Sequence, residues 1–169
     1  REEARATHDA PLRAVALRRL GEVLAGPLGQ VDDAIDAYEE ALRRDPGDDP
    51  SLRALERLYR EAGRWKDLLG VYHTLLDATE DDSERASLLE RIALVSEHRL
   101  DNTAAAINAL RQLPAKAPRG VSLLQLQAQL FQREGLWEDL VEVLDAEADL
   151  MLDTPRKASL LVHAGETLE

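Results

Sequence analysis

The sequence predicts an all-α fold of repeated helical hairpins, and three observations carry that expectation. Leu (31) and Ala (25) account for 56 of 169 residues, whereas Val, Ile and Thr together supply only 18, a balance that favours helix over sheet. Apolar residues recur at three- and four-residue spacing, without strand-like alternation. The chain also repeats itself: shifted by 72 residues, positions 13–97 and 85–169 agree at 24 of 85 places. Gly63-Arg64-Trp65-Lys66-Asp67-Leu68 returns as Gly135-Leu136-Trp137-Glu138-Asp139-Leu140, and Ala86-Ser87-Leu88-Leu89 as Ala158-Ser159-Leu160-Leu161. The same offset pairs Ala34-Ile35 with Ala106-Ile107 and Pro46 with Pro118.

The elements follow in order. A helix over 11–25 is closed by Gly26-Pro27, and one over 31–44 by Pro46-Gly47. Residues 51–62 carry the stripe Leu52, Leu55, Leu58 and Tyr59, and Gly63 stops that helix as a C-terminal cap. A stripe of Leu68, Leu69, Tyr72, Leu75 and Leu76 marks a helix over 65–78. The acidic turn Glu80-Asp81-Asp82-Ser83 supplies an N-terminal cap for a helix over 83–99. Helices over 103–113, 121–134, 137–152 and 155–169 complete the pattern, punctuated by Pro114, Pro118, Gly135 and Pro155. The nine helices group into hairpins at about 11–46, 51–80, 83–118 and 121–153, with a partial fifth at 155–169. One repeat domain over 1–169, cut from a longer array, is the expected organisation.

These hairpins resemble tetratricopeptide repeats, whose pattern is W-x2-L-G-x2-Y, then A-x3-F, then P, at a period of about 34 residues. Leu17, Leu20-Gly21 and Leu24, followed by Ala34, Tyr38, Ala41 and Pro46, carry the resemblance in the first hairpin. Leu52, Leu55, Tyr59 and Gly63, then Trp65, Leu68, Tyr72 and Leu75, carry it in the second; Leu68 stands where the family has a small Ala. Leu89, Ile92-Ala93, Ser96, Ala106, Leu110 and Pro118 follow in the third, with Ala93 at the Gly21 position. The fourth offers Leu124, Phe131, Gly135, Trp137, Leu140 and Leu144. Extra residues around Pro27-Leu28 and Arg99-Leu100 lengthen the odd hairpins. The alternation of two hairpin types is also similar to that of long bacterial repeat proteins, some linked to gliding motility. The resemblance implies a right-handed α-α superhelix, with first helices lining a concave groove. Small Ala34, Ala41, Ala86 and Ala106 would let helices approach closely, while Trp65, Tyr72, Trp137 and Phe131 fill the wider gaps.

Chemistry is sparse. Acidic residues outnumber Lys plus Arg by 33 to 21, a formal charge of −12 that disfavours nucleic acid as a partner. With no cysteine there is no disulfide framework, cysteine-ligated zinc or thiol nucleophile. No apolar run is long enough to span a bilayer, and no secretory leader pattern opens the chain. His8, His73, His98 and His163 lack metal-ligand spacing, and the nearest approach to a site is His98 with Asp101, three residues apart. Asp32-Asp33, Asp48-Asp49 and Asp81-Asp82 sit at helix starts or turns, where negative charge complements the helix dipole. No catalytic residue, metal or cofactor is expected, and no compartment is indicated, the cytoplasm being the default.

The exposed stripes on first helices are more informative. Arg53, Arg57 and Arg60 follow i, i+4, i+7 spacing and become Gln125, Gln129 and Gln132 at the 72-residue offset. Arg18, Arg19 and Glu22 occupy the corresponding surface of the first hairpin; Glu90, Arg91, Glu97 and His98 that of the third; Arg133 joins the fourth. With Glu61, these positions hold seven Arg against four Glu, whereas residues 137–149 carry six carboxylates and no base. Arg18, Arg53, Arg57, Arg60, Arg91, Gln125, Gln129 and Gln132 are therefore the candidate peptide-binding residues. They would take an acidic or amide-rich protein segment through bidentate Arg contacts and Gln–peptide hydrogen bonds. Paired with nearby Glu, the same residues would form an ordinary solvated face. The carboxylate-clamp positions of the family's chaperone-tail binders read Arg18, Glu22, Ala54, Ser87 and Arg91, without the clamp asparagines. A non-enzymatic protein-binding scaffold is the expected function. The alternatives are a self-assembling segment, for which the apolar face of 158–168 would need cover, or the regulatory arm of an enzyme.

Overall fold

Periodicity and terminal signals set eight helices among the described residues, with no strand. The computed structural model of the chain describes residues 2–114 and 120–150, with side chains from 10 to 148. The helices are α1 (Glu2–Ala25), α2 (Val31–Arg44), α3 (Asp49–Ala62), α4 (Trp65–Ala78), α5 (Asp82–Leu100), α6 (Thr103–Arg111), α7 (Val121–Arg133) and α8 (Trp137–Leu150). They divide into two compact units, Arg1–Thr79 and Glu80–Glu169. In the first, α1 packs on α2, α2 on α3 and α3 on α4; in the second, α5 packs on α6, α6 on α7 and α7 on α8. The expected helix over 155–169 lies outside the described residues, as do the 158–168 face and the closure at Pro118.

Three helix ends within the described residues differ from expectation by two residues or more, and the first is that of α3, which starts at Asp49 rather than 51 because Asp48 caps it. Helix α1 starts at Glu2 and takes Pro11 into its interior, whereas 11–25 was expected; the proline removes one backbone N–H, and the bonds on either side carry the helix through. Helix α6 stops at Arg111 rather than 113, because its last turn tightens to three-residue bonds, Gln112 N–H to Ala109 C=O (3.2 Å) and Leu113 N–H to Leu110 C=O (3.3 Å).

The caps explain the remaining boundaries. Asp48, Asp81 and Asn102 accept hydrogen bonds from Ser51 N–H (3.2 Å), Glu84 N–H (2.8 Å) and Ala105 N–H (3.1 Å). At the turn of the second hairpin Arg64 N–H reaches Tyr59 C=O over Gly63 (φ 68°), and at that of the fourth Leu136 N–H reaches Phe131 C=O over Gly135 (φ 68°), both at 2.8 Å. In the odd hairpins Gln30 N–H reaches Leu24 C=O over Gly29 (φ 63°), and Asn102 N–H reaches Ser96 C=O over Asp101 (φ 50°), again at 2.8 Å. The even turns reach back five residues and the odd turns six. The lengthening expected near Pro27-Leu28 and Arg99-Leu100 is thus one extra residue per odd turn.

Close helix approach comes from small side chains: Ala34, Ala41, Ala93 and Ala106 have no exposed surface. Tyr38, Tyr72 and Phe131 fill the wider gaps and are buried. The two tryptophans do not. Trp137 is 43% exposed and Trp65 half-buried. A Cβ placed on Gly63 would lie 3.8 Å from Trp65 Nε1, and one on Gly135 4.0 Å from Trp137 Nε1. Each indole therefore lies beside the glycine turn two residues before it.

Candidate functional site

The expected stripe in the first unit lies on α1 and α3. Leu52, Leu55, Leu58 and Tyr59 face the core, so Arg53, Arg57 and Arg60 are left on the exposed arc of α3. Each has an acid one turn away. Arg53 Nε lies 2.7 Å from Asp49 Oδ2, Arg57 Nη1 lies 3.3 Å from Glu61 Oε1, and Arg60 pairs with Glu56. Arg18 reaches Glu22 at 3.0 Å along α1 and Asp48 at 3.5 Å, at the N-terminus of α3. Arg18 and Arg57 both act electrostatically on the Tyr38 phenol. Burial and Glu22 push that phenol above its ordinary range, and the two guanidinium groups oppose them.

Arg60 stands apart from the other two. Its partner Glu56 is buried, and it also donates to the Tyr72 hydroxyl at 3.3 Å, which in turn donates to Glu56 at 3.3 Å. This triangle ties α3 to α4, so Arg60 has a structural role beyond its place on the stripe. The Tyr72 hydrogen bond, ahead of the Glu56 contact, holds the guanidinium even further above its usual range. In the second unit Arg91, Gln125, Gln129 and Gln132 are exposed on α5 and α7. Arg133 bridges these helices through Glu97 at 2.9 Å, and that carboxylate is largely shielded.

A second feature of the first unit is a groove of about 490 Å³ between α2 and α4, floored by Leu52, Leu55 and Tyr59 of α3. Residues 39, 42, 43 and 46 form one wall and 67, 70, 71 and 74 the other, the same i, i+3, i+4, i+7 pattern on each. At one end Tyr59 O–H donates to Glu39 Oε1 at 2.6 Å, the Arg64 guanidinium lies 4.8 Å from the Tyr59 ring centroid, and Arg64 Nε reaches Asp67 at 2.7 Å. Burial, then the Glu39 hydrogen bond, push the Tyr59 phenol well above its ordinary range.

The family model for the tetratricopeptide repeat matches residues 16–50 and 51–86. Residues 16–86 match two tetratricopeptide repeats. The two matched copies contain the C-terminal part of α1, all of α2 to α4 and the start of α5. No curated protein matches the chain. Among solved structures, a tetratricopeptide repeat protein from Parabacteroides merdae ATCC 43184 is similar at 20% identity with a TM-score of 0.53, over 94% of this chain and 60% of that one. The chain therefore spans about 60% of that protein's length, and the likeness is one of fold. A thermophilic tetratricopeptide repeat protein from Thermus thermophilus aligns at 20% identity and a TM-score of 0.33, over 92% of this chain and 98% of that one.

Tetratricopeptide repeats mediate protein–protein interaction and are typically non-catalytic scaffolds. Among the described residues no cluster of three or more His, Asp or Glu is placed to hold a metal ion, and no helix is long and apolar enough to cross a membrane. Sequence reasoning missed the groove between α2 and α4. Its one legible signal is Gly70, a glycine inside a helical stripe whose 72-residue counterpart is Glu142.

Proposed function

We propose that this chain is a non-enzymatic scaffold that holds a protein segment on the face carried by its first helices, within one array of repeats over 1–169. The observation that carries it is the separation of core from stripe between copies. Leu52, Leu58, Leu68 and Val71 recur as buried Leu124, Leu130, Leu140 and Val143, while the exposed Arg53, Arg57 and Arg60 become exposed Gln125, Gln129 and Gln132. A scaffold that preserves packing and varies exposed chemistry suits binding distributed over several modest contacts. The arginines of the first unit favour carboxylates and the glutamines of the second peptide groups.

The α3 ion pairs are of the exposed kind that contributes little, so a partner carboxylate can replace Asp49 or Glu61 at low cost. Arg60 is a poor target because buried Glu56 depends on it. The test is Arg53→Glu with Arg57→Glu on the full chain, using a partner obtained by affinity capture and the peptide mapped from it. Binding should weaken about tenfold or more per lost charged contact, with the melting temperature unchanged. Undiminished affinity in a folded double variant would remove the stripe from the binding surface.

Self-assembly is supported by a different observation. Leu12, Leu20 and Val23 of α1 are 68%, 49% and 49% exposed and lie on one helical face. A concentration series in light scattering decides it: growth in mass that Leu20→Glu abolishes supports assembly, and a strictly monomeric chain refutes it.

A further inference from the structure

The groove between α2 and α4 is open at a position where the fold does not need it open. Gly70 lies in the middle of α4, where a glycine costs a helix about 1 kcal/mol relative to alanine. Nothing lies within 4 Å of where its Cβ would stand, so no tight packing demands a glycine there. The second copy of the module shows that the scaffold tolerates the opposite arrangement. Its counterpart of Gly70 is Glu142, and its counterparts of Glu39 and Asp67 are Arg111 and Asp139, which close on each other with Arg111 Nε 3.2 Å from Asp139 Oδ1. The same two helix faces are thus tied directly by Arg111 and Asp139 in one unit, whereas in the other Arg64 links Glu39 and Asp67 at one end and the stretch along Gly70 is open.

The charges of the open groove are unevenly spent. Asp67 is held by Arg64, while Glu39 accepts from Tyr59 and lies 3.8 Å from Arg64. Arg43 pairs with Glu40 at 2.6 Å. Lys66, on the rim one turn before Gly70, has no ion pair among the described residues. What remains is an apolar floor, a backbone ledge at Gly70 and one uncompensated ammonium group.

We propose that this groove is a docking site, separate from the first-helix stripe, for a protein segment that lays one large aliphatic side chain over Gly70 and offers an adjacent carboxylate to Lys66. A volume of about 490 Å³ suits one such side chain with flanking backbone and falls within the roughly 300–1,000 Å³ of small-molecule sites. The carboxylate follows from charge complementarity, since the acids already on the walls are neutralised from within.

The probe is an acetylated hexapeptide with a central Leu beside an Asp, titrated into the isotope-labelled full chain at low salt while the backbone amides are followed. The amides of Gly70 and Val71 should shift and saturate. Replacing the Leu of the probe by Ala should weaken binding at least tenfold, and replacing its Asp by Asn several-fold. Lys66→Gln should bring the Asp and Asn probes to the same affinity. Gly70→Glu, a residue the second copy already carries at this place, should abolish the shifts while the melt stays cooperative. Arg53→Glu with Arg57→Glu should leave them intact, which separates this site from the stripe. No saturable shift at Gly70 up to millimolar probe, or undiminished binding to folded Gly70→Glu, would overturn the proposal. Equal binding of the Leu and Ala probes would do the same.

Discussion

Gly21 in α1 and Tyr38 in α2 form a pair whose substitution tests the packing directly. A Cβ built on Gly21 would stand 2.8, 2.9 and 2.9 Å from three atoms of the Tyr38 ring, well inside contact distance. Tyr38 is 3% exposed, so the ring has little room to withdraw. Two effects oppose each other in Gly21→Ala. Removing a glycine from a helix interior stabilises by about 1 kcal/mol, whereas overpacking a filled core costs about 1–3 kcal/mol. With three sub-contact distances the steric effect wins, and a net loss of roughly 1–2 kcal/mol is expected. The second copy carries the compensated version: Ala93 at the Gly21 position and Leu110 at the Tyr38 position, 0% and 2% exposed. Tyr38→Leu alone should destabilise by opening space above the glycine, by about 2 kcal/mol. The double variant should lose less than the sum of the singles, with a coupling of about 1–2 kcal/mol. The assay is urea unfolding of the full chain with Trp137→Phe, so that Trp65 fluorescence reports the first unit. Additivity within about 0.5 kcal/mol would refute the packing account.

Three further outcomes follow from the same geometry. Gln127, 3% exposed, leaves its Oε1 without a hydrogen-bond partner at the place where the first copy has buried Leu55; Gln127→Leu should stabilise the second unit by about 1–2 kcal/mol, read as a raised urea midpoint with unchanged slope. Gly63→Ala (φ 68°) should destabilise by about 1 kcal/mol, while Asp101→Gly (φ 50°) should raise the melting temperature, because only the second relieves a left-handed backbone. Tyr59 has a folded pKa raised above its unfolded value, so its contribution is complete below about pH 10 and is lost as pH climbs toward the raised value. The melting temperature should therefore fall between about pH 9.5 and 11, and Tyr59→Phe should make that fall shallower.

Helix placement was legible because the local signals agree with the packing. Gly63 stops α3 in a left-handed conformation, Asp81 caps α5, and the extra residue of the odd turns is visible as a longer spacing. The tryptophans misled because hydrophobicity alone does not specify full burial: each indole lies beside the turn glycine two residues back and stays partly exposed. The stripe residues were legible as exposed, yet their charge state was not. Formal counting left an excess of Arg, but Asp49 at the helix start is one turn from Arg53, and buried Glu56 claims Arg60. The groove escaped because its walls come from α2 and α4, which one stripe at a time cannot bring together.

The two copies of the module act as a comparison within one chain, and their differences are of two kinds. Gly21 and Tyr38 change together to Ala93 and Leu110, so that volume removed from one side of the contact is restored on the other; both versions are buried, and neither says anything about a ligand. Leu55 becomes Gln127, which leaves a buried polar atom unpaired and is a pure loss to packing. Gly70 and Glu39 become Glu142 and Arg111 without any core contact requiring it, so Arg111 pairs directly with Asp139 in one unit, while in the other Arg64 links Glu39 and Asp67 beside an open groove. Only an exposed change that packing neither requires nor compensates bears on binding. By that criterion Gly70-to-Glu142 in the α2/α4 groove and the Arg-to-Gln stripe bear on it, whereas Leu55-to-Gln127, buried in both copies, bears on stability alone.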